Sequence, residues 1–131
     1  MGSTAFLLAV YPYSQLARFY NTLIGHLAGV SSGYLVVIAL GLANMPSVFE
    51  TGRLQAVQIL ASGIGVALVI LLQTAVKARH PPGAATALLI TLGGFRVVWQ
   101  DFLAIIIGAS IMAVLGEASR RLDLALHENG R

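Results

Sequence analysis

Ala78-Arg79-His80-Pro81-Pro82-Gly83-Ala84-Ala85-Thr86-Ala87-Leu88-Leu89 places a histidine, two prolines and a run of small residues between long apolar stretches. A Pro-Pro pair removes two backbone donors, and each proline inside a helix costs about 3 kcal/mol or more. A helix therefore ends before it and a new one starts near Gly83. In an apolar surrounding, the first amides of the new helix are satisfied only by protein, captive water or a ligand. The stretch thus reads as the opening of a short apolar segment whose backbone donors and small side chains suit an anion.

The rest of the chain makes that surrounding a membrane. Of the 131 residues 57% are hydrophobic and 10% charged, and the mean hydropathy is +0.84, too apolar and too poor in charge for a water-soluble domain. Residues 19–49, 54–76, 81–95 and 102–116 carry no Asp, Glu, Lys or Arg. A helical crossing takes roughly 20 apolar residues. The reading is an all-α polytopic membrane bundle with one transmembrane domain over 1–118. Its segments fall at about 2–17, broken near Pro12, and at 21–43, 54–76, 83–95 and 98–118. A cytoplasmic helical tail is expected over 119–131. Tyr11, Tyr13, Phe19, Tyr20 and Trp99 fall near segment ends, as an aromatic belt requires. The absence of Cys excludes disulfides and thiolate metal sites. The N-terminus lacks the basic region of a signal peptide. The net charge of +3 reflects membrane-flanking Lys and Arg and gives no reason to invoke nucleic acid.

The two short segments resemble each other. Gly2-Ser3-Thr4-Ala5-Phe6-Leu7-Leu8 aligns with Gly83-Ala84-Ala85-Thr86-Ala87-Leu88-Leu89 at a shift of 81 residues, and at a shift of 83 Gly25 and Gly33 fall on Gly108 and Gly116. Charge gives the topology. If all five segments cross, Arg18, Lys77, Arg79, Arg120, Arg121 and Arg131 share one face against Arg53 and Arg96. If the short segments dip and return, the split is four against four, which carries no bias. The crossing model puts the C-terminus in the cytoplasm and the N-terminus outside. The short segments then run antiparallel, the mark of an inverted repeat. The partner of helix 54–76 is missing from that repeat, so the absent helix would come from a truncated part of the chain, a second copy or another subunit.

Half-helices whose N-termini face the membrane interior hold anions by dipole and amide without a buried charge. Gly2, Ser3 and Thr4 would serve from one side, and Gly83, Ala84, Ala85 and Thr86 from the other. The plainer reading is that such small residues let helices pack closely. His80, beside Pro81 and Pro82, would cap the broken helix or titrate during transport. Lys77 and Arg79 fit ordinary flanking charge. His26 lies inside a span, where an ionisable residue faces the bundle or a wet cavity; its alternative is a bond to a neighbouring carbonyl. Gly25, Gly29 and Gly33 make a face for helix packing, as do Gly63 and Gly65. Asp101 and Glu117 sit near the ends of segment 98–118 and suit snorkelling to water, with proton coupling as a second role for Glu117. No nucleophile elbow, metal-binding histidine pair or phosphate loop is present, so the chain does not read as an enzyme.

The block His80-Pro81-Pro82-Gly83-Ala84-Ala85-Thr86-Ala87-Leu88-Leu89 resembles the HPP family of integral membrane proteins. Gly2-Ser3-Thr4-Ala5 is similar to that family's Gly-x-Ser-Ala segment, and Asn21-Thr22-Leu23-Ile24-Gly25-His26-Leu27 to its Asn-…-Gly-His-Leu stretch. The resemblance implies a transporter, since some plant and cyanobacterial relatives are associated with nitrite. It implicates Asn21, Gly25, His26, His80, Pro81 and Pro82. Two departures stand out: Phe19-Tyr20 replaces the family's Pro-Arg before the Asn, and the expected preceding transmembrane helix does not appear.

Three functional classes follow. The first is a transporter or channel in the inner (plasma) membrane for a small inorganic anion such as nitrite, needing no cofactor. The second is a non-transporting assembly or anchor subunit. The third is a haem- or quinone-binding oxidoreductase subunit using His26 and His80 as axial ligands.

Overall fold

The computed structural model describes residues 1–128, with side chains through residue 126; the end of the expected tail, 129–131, lies outside the described residues. The described residues form six α-helices and no strand. They are α1 (Gly2–Val10), α2 (Phe19–Ala39), α3 (Val48–Thr51), α4 (Ala56–Ala75), α5 (Pro82–Thr91) and α6 (Trp99–Glu128), with a 3-10 turn over Gln15–Ala17 between α1 and α2. Helices α2 (21 residues) and α4 (20 residues) have the length and apolar composition to cross a membrane, as does α6 over Trp99–Leu126. At 1.5 Å per residue, α2 and α4 each reach about 30 Å, the thickness of the hydrocarbon layer. Helix α5, at 10 residues, reaches about half of that.

Several boundaries differ from the sequence expectation for local reasons. The first segment is a helix only to Val10, after which Ser14 Oγ accepts the Leu16 N–H at 3.2 Å and opens the turn that leads into α2. Helix α2 ends at Ala39, because Gly41 adopts φ +68° in the connection that follows. The helix expected over 98–118 runs on unbroken to Glu128, so no boundary separates it from the tail.

Helix α2 is central. Within its most apolar window 56% of residues are buried, against 28% for α4 and 17% for α6. It packs on α4, α5 and α6. Its face of Gly25, Gly29 and Gly33 lies against His80, Gly83 with Thr86, and Ile90 in turn, so α2 and α5 run in the same direction at close range. A Cβ on Gly83 would overlap the Gly25 carbonyl and one on Gly29 the Gly83 carbonyl, so these two glycines are required by the approach of two backbones, whereas a Cβ on Gly25 would overlap the His80 side chain. Gly65 of α4 meets Thr91 and Ala87 of α5, whereas Gly63 faces open space. Outward-facing Ile59, Leu60, Ile64, Ile70 and Leu71 on α4, and Ile107, Ile111, Val114 and Leu115 on α6, are exposed. This apolar coat suits lipid and not water.

The two ends of the bundle are fixed by polar ties. Tyr20 Oη donates to the Val76 carbonyl (3.2 Å), joining the start of α2 to the end of α4. Tyr34 Oη donates to the carbonyls of Arg96 (3.0 Å) and Val98 (3.1 Å), joining the far part of α2 to the start of α6. Arg18, Lys77 and Arg79 therefore cluster at one end, with Arg120 and Arg121 beside Arg18. Arg53 and Arg96 lie toward the other, but among the described residues three helices and not five have the length to cross, since α1 and α5 span only 9 and 10 residues. Met1 meets Gly108 and Leu8 meets Gly116, so α1 runs alongside α6 in the same sense and opposite to α5.

Candidate functional site

After α4 the chain turns inward. Ala78 N–H bonds back to the Gln73 carbonyl (2.9 Å) and Lys77 adopts φ 55°, a left-handed conformation that is strained for a side-chain-bearing residue. This turn carries Ala78 and His80 to full burial while Lys77 and Arg79 stay exposed. Gln73 clamps the arriving backbone: its Oε1 accepts the His80 N–H (2.8 Å), and its Nε2 donates to the His80 carbonyl (2.9 Å) and to the Gly25 carbonyl of α2 (3.3 Å). A helix break inside an apolar bundle is thereby left without a backbone orphan at His80.

Pro81 already has helical dihedrals, φ −51° and ψ −35°. The first amides of α5 consequently fold back on the chain, Gly83 N–H to the His80 carbonyl (2.9 Å) and Ala84 N–H to the Pro81 carbonyl (3.0 Å). Those two donors, expected from the sequence to face an anion, are bonded internally. What the start of α5 offers instead is side-chain chemistry.

That chemistry converges on His26, seven residues into α2 and so about 10 Å along it. Its Nε2 lies 2.8 Å from Thr4 Oγ1 on α1, and its Nδ1 2.8 Å from Thr86 Oγ1 on α5. A neutral imidazole donates through one nitrogen and accepts through the other, and a hydroxyl can play either part, so both contacts are satisfied at once. His26 and Thr4 are essentially fully buried. The two short helices, which run in opposite senses, are thus joined through one ring. His80 stacks edge-on against it, ring centroids 5.1 Å apart at 61°. Its Nδ1 lies 2.9 Å from the Leu16 carbonyl and its Nε2 has no partner. With the rings this close and both His26 nitrogens bonded, the pair does not present axial ligands to a macrocycle between them.

Of the residues singled out in the sequence, Thr4, His26, His80 and Thr86 meet here, Gly83 allows the backbones to approach and Gly25 leaves room for the His80 side chain. Pro82 is buried as the first residue of α5. Gly2, Ser3, Pro81 and Ala85 are exposed and Ala84 is half-buried, so none of them joins the cluster. Asn21 is buried but donates to the Gln15 carbonyl (2.6 Å), holding the turn before α2. Asp101 Oδ2 accepts the Arg96 N–H (2.6 Å), and Glu117 pairs with Arg120 (2.7 Å) and Arg121 (2.8 Å). Gln73 is the participant the sequence reading passed over; its signal was an amide near the end of an otherwise apolar helix, seven residues before the histidine.

A cavity lies toward one end of the bundle and an open surface depression toward the other. The cavity, of about 290 Å³, is bordered by Glu50, Gln58, Ile90, Thr91 and Arg96. The depression is bordered by Arg18, Phe19, Tyr20, Glu117, Arg120 and Arg121. Ile90, one turn beyond Thr86 on α5 and packed against Gly33, separates the cavity from the histidine pair.

The fold and this centre define a multi-pass α-helical membrane protein with a buried polar joint between two short helices. The family model described as HPP, transmembrane region, matches residues 1–126. The chain belongs to the HPP family. A transmembrane protein of Dictyostelium discoideum is 31% identical over 114 residues, covering 85% of this chain and 36% of that protein. The chain thus spans about a third of the length of that curated relative. No solved structure matches.

Proposed function

We propose that this chain forms the membrane part of a transporter for a small inorganic anion, nitrite being the first candidate. The observation that carries the reading is the joint at His26, where hydroxyls from two oppositely directed short helices meet one buried imidazole. Polar and ionisable groups are costly inside a bilayer and mark transport pathways when they occur there. The opposed senses of α1 and α5 support an inverted repeat. The Arg- and Lys-rich end is assigned to the cytoplasm of the plasma membrane.

Reconstitution tests the reading. Vesicles containing the chain should take up nitrite faster than empty vesicles, with nitrate, formate and chloride ranking its selectivity. Uptake equal to that of empty vesicles for all four anions would overturn it and favour a non-transporting assembly subunit.

A further inference from the structure

One atom of the buried cluster is unpartnered. His80 Nδ1 faces the Leu16 carbonyl at 2.9 Å, and a carbonyl only accepts, so Nδ1 carries the ring proton and Nε2 is a bare lone pair. Nε2 has no donor within reach, and His80 is fully buried. The groups that face this residue are His26 from α2, the Leu16 carbonyl from the turn before α2, and the Gln73 amide from α4. None is negatively charged, and His26 is the one titratable group among them. Glu117 is already engaged by Arg120 and Arg121 near the end of the bundle.

The internal bonding of Gly83 and Ala84 withdraws the amides that would otherwise supply positive potential to an anion. An anion entering this centre alone would be an unpaired charge in an apolar bundle, and so would a proton on His80 alone. Together they are neutral, so each stabilises the other, and that coupling is reciprocal. A proton also needs no cavity. It occupies a lone pair that is already there, whereas the ring itself is packed so closely on Gly25 that a Cβ there would overlap it.

We propose that His80 Nε2 is the proton-binding site of an electroneutral anion–proton symporter. On loading, an N–H bond forms at Nε2 as one anion enters; on release that bond breaks and both particles leave on the same side, with no net charge moved and no redox change. This rests on the transport reading above.

The test uses the chain in sealed vesicles at neutral pH, with a pH-sensitive dye inside and nitrite added outside. The expected result is one proton entering per nitrite above the leak of empty vesicles, with uptake unchanged when a membrane potential is imposed. A lone anion would instead respond by up to about 50-fold to a potential of physiological size. Uptake that follows the potential without acidification would overturn the symport mechanism and leave the transporter reading standing; no uptake would overturn both. In His80→Gln, proton entry should be lost and any residual nitrite flux should become sensitive to potential. Unaltered, potential-insensitive symport in that variant would overturn the assignment to Nε2.

Discussion

The two short helices differ in how they are held. Helix α5 is wedged between α2 and α4, its backbone in contact with the Gly25 carbonyl and its entry clamped by Gln73. Helix α1 packs on α6 and on the turn before α2, and it reaches the centre through Thr4. Sequence similarity between the two segments therefore does not translate into equal support. One is part of the packed core, and the other is attached to it by a hydroxyl and a few apolar contacts.

The largest effect should come from attacking the wedge. Gly83→Leu drives a side chain into the Gly25 carbonyl and the Gln73 amide, so a loss of about 3 kcal/mol or more is expected, read as loss of the folded species in a detergent thermal-shift assay. A comparable insertion on α1, Gly2→Leu, meets nothing within 4 Å and should leave stability unchanged. Equal damage from the two would break the contrast.

Next in size is the clamp. Gln73→Leu strands the N–H of His80 and removes one of its carbonyl's donors, an expected cost of about 2 kcal/mol. Thermal unfolding should fall accordingly. An unchanged midpoint would show that the entry to α5 is held by other means.

The hydroxyls sharpen the comparison further. Thr4→Val and Thr86→Val each leave one nitrogen of His26 unpaired, and each should destabilise by about 1 kcal/mol. Both should lower nitrite uptake, because both walls of the same site are altered. If Thr86→Val alone affects uptake, α1 plays no part in the centre. The smallest effect is expected at Lys77. Its left-handed backbone is relieved by glycine, so Lys77→Gly should stabilise by up to about 1 kcal/mol without changing uptake.

Much of this was legible in the sequence because the bilayer imposes simple rules. Charge-free runs marked α2, α4 and α6, and Pro81-Pro82 marked the break before α5, whereas the short lengths of α1 and α5 leave three of the described helices able to cross instead of the five expected. The inward residues of the short helices were harder. Ser3 and Thr4 are neighbours of similar chemistry, yet one faces out and the other in, because helical phase turns about 100° per residue and nothing in a small-residue run marks that phase. The closure of the Gly83 and Ala84 amides depends on the dihedrals of Pro81, which residue identity alone leaves open. Gln73 escaped notice because its partner is a backbone brought back by a left-handed turn at a lysine, a conformation that sequence does not advertise.

The account rests on His26 bridging α1 and α5. A double-mutant cycle on thermal stability between Thr4→Val and His26→Phe measures that bridge directly. A coupling of about 0.5–3 kcal/mol is predicted for groups in contact; strictly additive effects would contradict it.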